Sequence, residues 1–154
     1  MNQPIDQIVF EPFPEEFDGI AIVCFIDLLG FTQEIQKKWG DANDNPLERI
    51  KEIYQSVNKH LRNKSGQTFL DIDYTTVVAR AAYGKINYIS DSFVIVIPID
   101  NLSSEDFLAS TISVVGSILT LWRTTIENGF TIRGGIDIGQ VYWEDNNIIG
   151  PAYI

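Results

Sequence analysis

The stretch IAIVCFIDLLGFT, residues 20–32, sets the architecture. Its first seven residues are continuously apolar and rich in β-branched side chains, the mark of a strand covered on both faces and therefore central in its sheet. The run stops at Asp27. Gly30, Phe31 and Thr32 then open a helical pattern that extends to Trp39, and the turn-forming cluster 41–46 follows it.

Working outward, residues 46–61 place Leu47, Ile50, Ile53, Tyr54, Val57 and Leu61 on one face of a second helix, with Pro46 in its first turn. Residues 68–83 (TFLDIDYTTVVARAAY) mix alternation with small residues and fit either a bulged strand or an excursion from the sheet. Residues 86–89 and 93–99 are apolar runs separated by Ser90, Asp91 and Ser92, a tight hairpin between buried strands. Ser103 and Ser104 supply a cap, Glu105 and Asp106 an acidic first turn, and a long helix reaches Glu127 before Asn128 and Gly129 end it. Along it Phe107, Ile112, Val115, Leu119, Trp122 and Ile126 keep helical spacing, which assigns them to the core. A strand over 131–142 and a turn at 145–147 lead to a short strand at Ile148 and Ile149. This order gives an α+β domain: a ferredoxin-like split βαβ core with an antiparallel sheet, helices on one face and an added C-terminal hairpin. Residues 1–18, with Pro4, Pro12 and Pro14, read as an N-terminal arm, and 19–154 as one domain beginning its fold at Ile20.

The 154 residues, 45% hydrophobic, suffice for one sizeable core. A net charge of −10 disfavours long nucleic acid, which needs clustered Lys and Arg. A small polyphosphate is a different matter, because divalent metals supply the positive charge this surface lacks. Cys24 is the only cysteine, so no internal disulfide forms and a reducing compartment is expected. The N-terminus lacks a basic segment followed by an apolar stretch, and no apolar run reaches the roughly 20 residues that span a bilayer. The expectation is a cytoplasmic protein with no membrane partner. His60 has no second histidine beside it and reads as solvated; Cys24 reads as core packing.

In a split βαβ fold the first strand and the strand after the crossover run the same way, and the next descends between them. The hairpin tip therefore lies beside the end of the first strand, and Asp27 meets Asp91. Two adjacent carboxylates repel unless a cation lies between them, and Mg²⁺ prefers such oxygen ligands together with waters and substrate phosphates. A two-metal phosphoryl-transfer site explains the pair. An aspartate at a strand end is, alone, most often a cap or turn residue, and Arg133 alone also reads as a surface ion pair. Gly30 at a helix start lets backbone amides approach a phosphate.

The runs FIDLLGFT (25–32), ISDS (89–92) and IRGGIDIG (132–139), followed by Gly150, resemble the successive motifs of class III adenylate, guanylate and related nucleotidyl cyclases over residues 20–154. The resemblance implies that Asp27 and Asp91 bind two Mg²⁺ or Mn²⁺ ions per site, with the Leu28 carbonyl as a further ligand. It implies that Gly30, Phe31 and Thr32 hold the β- and γ-phosphates and that Arg133 contacts the triphosphate. Base selection falls on Asn87 and Asn147, which are not the Lys and Asp pair expected for adenine. Asparagine presents both a donor and an acceptor and decides no base alone; Asn147 also reads as a simple turn residue.

The WEDNN hairpin and the RGGI and GPAY runs look more like the uridylate and cytidylate cyclases of bacterial Pycsar antiphage systems, which implies UTP or CTP as substrate and cUMP or cCMP as a second messenger. The family works as a head-to-tail homodimer whose partner supplies an asparagine and an arginine. Here the asparagine position falls on Ile154, and the arginine would follow it; the apolar Tyr153 and Ile154 suggest a natural sequence that continues. Two other readings stay open: a catalytically silent nucleotide-binding or dimerisation module, and a diguanylate-type palm, although RGGID lacks that signature's acidic ending.

Overall fold

The structure, a computed structural model, describes residues 15–64, 66–72, 75–81, 84–145 and 147–151. In chain order the elements are β1 (Glu16–Leu29), α1 (Phe31–Lys38), α2 (Pro46–Lys64), β2 (Gly66–Ile72), β3 (Thr75–Ala81), β4 (Lys85–Ile89), β5 (Ser92–Pro98), α3 (Ser104–Glu127), β6 (Thr131–Glu144) and β7 (Asn147–Ile149). The main sheet has the order β4-β5-β1-β6-β7, every neighbouring pair antiparallel, so β4 runs parallel to β1 with β5 between them. This is the expected split βαβ core with its added hairpin. Residues 68–83, which the sequence left open, contribute to a separate two-stranded sheet of β2 and β3. β1 starts at Glu16 rather than Ile20, because β6 extends far enough to pair Glu16 with Glu144. Residues 1–14 of the expected arm lie outside the described residues.

β1 is central, and both of its faces are used. Ile22, Cys24, Ile26 and Leu28 face the helices and pack with Ile50, Ile53, Val57 and Leu61 of α2 and with Phe93, Ile95 and Ile97 of β5. Burying each such aliphatic chain contributes about 1.5–3 kcal/mol, so the α2 stripe alone anchors that helix. Ala21 and Val23 point the other way, into a second cluster with Val94, Val96, Val141, Trp143 and Ile148. That cluster exists because the sheet curls. Lys85 of β4 donates to the Asp145 carbonyl at 2.9 Å and sits 4.6 Å from the Trp143 ring centroid, joining elements at opposite ends of the strand order. Cys24 is fully buried, and burial pushes its thiol up to about 12, as core packing requires.

α3 corrects one expectation. Its ends are as expected: Ser103 caps the first turn by accepting from the Asp106 amide, and Gly129 (φ +78°) closes a double C-terminal bond, Phe130 N–H to Thr125 and Gly129 N–H to Ile126. Its large apolar stripe, however, is exposed, from 39% at Phe107 to 59% at Leu119. The buried face is Ala109, Ser110, Ser113, Val114, Ser117, Leu121, Thr124 and Thr125. Small residues let α3 approach α2 and β3 closely, and hydroxyls such as Ser117 and Thr124 satisfy themselves on the carbonyls of Ser113 and Thr120. His60, expected in solvent, packs there too: a Cβ on Gly116 would meet its Nε2 at 2.7 Å. By length and composition Ser104–Glu127 could also cross a bilayer, contrary to the expectation that no segment reaches that size.

Candidate active site

β1 carries Asp27 to the point where the sheet meets α1. In the antiparallel register Asp27 stands opposite Ser92 of β5 and opposite Arg133 of β6, so both flanking strands deliver a side chain to it. Ser92 Oγ donates to Asp27 Oδ1 at 2.7 Å, and Arg133 Nε donates to Oδ2 at 3.2 Å. Asp27 is 24% exposed and Arg133 72%, so the serine is the more enclosed partner and the arginine the more exposed one.

Asp91 reaches the same place through the main chain. The Leu28 amide donates to the Asp91 carbonyl at 2.7 Å, which fixes the β4–β5 turn against the end of β1. Ser90 in this turn adopts φ +59°, in the left-handed region, and lets the chain reverse within two residues. Asp27, Leu28, Leu29, Gly30, Phe31, Thr32, Gln33, Asp91 and Arg133 together line an open cleft of about 270 Å³. All of the expected metal and phosphate residues are therefore neighbours.

Gly30 precedes α1 at φ +85°, where an L side chain is strained, and space is not the reason for glycine: a Cβ there would meet nothing within 4 Å. The first amides of α1 have no partner within the helix, and Gly30, Phe31, Thr32 and Gln33 line the cleft, the usual arrangement for receiving an anion. On β6 Gly134 is required by proximity instead, since a Cβ would fall 2.2 Å from the Phe25 carbonyl oxygen. That close approach keeps the strand of Arg133 tight against β1.

The donor set suits a hard divalent cation. It consists of two carboxylates and a carbonyl: in an antiparallel strand a residue's N–H and C=O share one side, so the Leu28 carbonyl faces the Asp91 side with its amide. No group of three or more acidic, histidine or cysteine side chains forms among the described residues. A metal here would complete its shell with phosphate oxygens and water, as Mg²⁺ commonly does.

Asn87 and Asn147 are not brought to this cleft. Asn87 lies on β4 opposite Val94, its Oδ1 accepting from the Tyr88 amide at 2.9 Å. Asn147 pairs with Glu144 on β7, on the face opposite Trp143 and Ile148, at the far end of β6 from Arg133. The position expected for the family asparagine, Ile154, lies outside the described residues. Sequence reasoning missed Ser92, although it follows Asp91 directly and the hairpin register alone puts it opposite Asp27. It also missed Arg49 and Glu34, whose pairing across two helices leaves no local signature.

No protein-family model matches the sequence, and no curated protein matches it. Solved structures do resemble it. The guanylyl cyclase Cya2 aligns at TM-score 0.50 and 16% identity over 88% of this chain and 66% of its own length. The guanylate cyclase domain of RhGC from Catenaria anguillulae, solved with GTP, aligns at 0.53 and 14% over 89% and 69%. The catalytic core of a rhodopsin-guanylyl cyclase with converted specificity, solved with ATPαS, aligns at 0.54 and 13% over 89% and 68%. The chain thus spans about two thirds of their length. At these identities what is shared is the architecture: this chain has the fold of nucleotidyl cyclase catalytic domains.

Proposed function

We propose that this domain is a class III nucleotidyl cyclase, binding a nucleoside triphosphate with two divalent cations and converting it into a 3′,5′-cyclic mononucleotide and pyrophosphate. One observation carries the reading: the 2.7 Å bond from the Leu28 amide to the Asp91 carbonyl, which seats two sequence-remote aspartates on one cleft beside a helix start. The cyclase fold of the chain supports it.

Each residue then has a task. The Asp27 and Asp91 carboxylates supply the negative oxygen ligands, with Ser92 holding Asp27 in orientation. The amides after Gly30 and the N-terminal end of α1 receive the β- and γ-phosphates. Arg133, exposed and bound to only one side of Asp27, moves onto the triphosphate and offsets its charge. Bound Mg²⁺ or Mn²⁺ would ease deprotonation of the ribose 3′ hydroxyl and neutralise phosphate charge. The 3′ oxygen attacks the α-phosphorus, the bond from that phosphorus to the bridging oxygen breaks, pyrophosphate leaves, and the hydroxyl proton passes to solvent. Positioning and charge stabilisation do most of this work.

UTP or CTP is the favoured substrate, on the ground that the WEDNN, RGGI and GPAY runs look like those of the pyrimidine cyclases, and the product would serve as an antiphage second messenger in the cytoplasm. Asn87 and Asn147 both stand away from the cleft of their own chain, so a head-to-tail homodimer is the assembly that would bring a partner's pair to the base. The test is incubation of the protein with each of the four nucleoside triphosphates and Mn²⁺, with products resolved by mass spectrometry. A cyclic pyrimidine monophosphate is expected. Metal-dependent binding without product would select the silent module, and a linear or dinucleotide product the palm-type alternative.

A further inference from the structure

Arg49 is a cation that the scheme above does not use, yet it is largely enclosed, its side chain 19% exposed. It touches three separate parts of the fold. Nη2 donates to Glu34 Oε2 of α1 at 2.6 Å, Nη1 donates to the carbonyl of Asn128 at the end of α3 at 2.9 Å, and Nε stands 3.4 Å from Asp44 Oδ1. Its guanidinium lies 4.8 Å from the centroid of the Phe130 ring, and that ring meets Phe31 at 6.5 Å.

The helix that Arg49 grips cannot hold its own position. α1 has eight residues and none is buried, and a helix of that length is marginal without outside support. Phe31, half-buried against the main core, anchors its first residue, and the Glu34 ion pairs with Arg49 and Lys38 tie down the next turn. Where the amides after Gly30 point is therefore decided by what Glu34 is bound to. A planar fork can hold a carboxylate, a carbonyl and an aromatic face at once, which an ammonium cannot do.

We propose that Arg49 is the positioning residue for the phosphate-binding turn, locking Gly30, Phe31 and Thr32 to the α3–β6 junction from behind. This rests on the cyclase reading of the cleft. Arg49→Met removes every hydrogen bond, ion pair and cation–π contact of this side chain, and Arg49→Lys keeps the ion pair with Glu34 but loses the Asn128 bond and the stacking. Ile53→Val, in the core beneath α2, serves as a control for general loss of stability.

The experiment measures Mn²⁺-dependent binding of a non-hydrolysable nucleoside triphosphate, alongside hydrogen exchange at the Glu34 and Trp39 amides, which bond to the Gly30 and Ile35 carbonyls. Arg49→Met should weaken binding roughly 10- to 100-fold, as loss of a supporting partner behind a ligand commonly does. It should also speed exchange at both amides, with Arg49→Lys intermediate and Ile53→Val unchanged in each. Equal triphosphate affinity in Arg49→Met and Ile53→Val, compared where both are fully folded, would overturn the proposal. Absence of metal-dependent binding by the unaltered protein is a separate result, visible before any variant is made, and removes the cyclase reading together with this role.

Discussion

Replacing Gly30 by alanine separates a backbone effect from a ligand effect, because the chain contains its own control. Gly30 and Gly40 flank α1 at φ +85° and +79°, and a Cβ at either would meet nothing within 4 Å. The eight-residue helix between them is about 12 Å long, so the two sites lie beyond its opposite ends. An alanine held in the left-handed region costs about 1–2 kcal/mol. The stiffer unfolded chain offsets roughly 0.4–1 kcal/mol of that. Each variant should therefore lose about 1 kcal/mol, or about 2–4 °C in Tm for a domain of this size. Only Gly30 opens on the cleft. A methyl there, or the relaxed turn it would cause, removes at least one charge-assisted hydrogen bond to phosphate, worth about 1.5–3 kcal/mol, so triphosphate affinity should fall roughly 10- to 150-fold. Thermal unfolding and titration with a fluorescent triphosphate in Mn²⁺ report the two quantities separately. If Gly30→Ala and Gly40→Ala weaken binding equally, or neither does, the turn is not a phosphate seat.

Asp27→Asn and Asp91→Asn should each abolish Mn²⁺-dependent triphosphate binding while shifting Tm little, because the Asp27–Arg133 pair is solvent-screened; isothermal titration calorimetry checks this. Trp143→Ala should cost about 3–5 kcal/mol, since the ring is fully buried at the seam of the curl and its Nε1–H bonds the Asp145 carbonyl; denaturant melts measure it. Acid should loosen α1 before the core. The Arg49 and Lys38 hydrogen bonds hold the Glu34 carboxyl below its ordinary 4.5, and the Lys38 hydrogen bond likewise lowers Asp44 from 3.8. Their contribution is complete above those ordinary values and is lost as pH falls through the depressed ones, whereas Lys38, raised above 10.5, keeps its share until strongly alkaline pH. Hydrogen exchange at α1 amides as pH is lowered from neutral to about 3 should show that order.

Much of this architecture was legible from local signals. The unbroken apolar run ending at Asp27 identified a central strand because only a strand with two covered faces tolerates it. The Ser-Asp-Ser tip and the parallel relation of β1 and β4 then brought Asp91 to Asp27 by topology alone. What was not legible depends on partners distant in sequence. The exposed stripe of α3 has the same spacing as a buried one, and the serines and threonines that do face the core look polar until their hydroxyls are seen to bond their own helix. The Arg49 pairing, the two-stranded β2–β3 sheet and the curl latched by Lys85 and Trp143 follow from how elements meet, which no single window of residues encodes.

The long β1–β6 ladder has a consequence for how the molecule comes into being. Asp27 and Arg133 are 106 positions apart, and Asp18 and Gln140, bonded through their side chains, are 122 apart. The middle strand of the sheet thus cannot gain its second neighbour until residues 131–144 have been synthesised. Until then one edge of an apolar strand stays open, and a nascent chain in that state is prone to stick to others. Topologies dominated by such distant pairings fold slowly, so yield on expression should respond more to chaperone supply than to changes in local helix propensity.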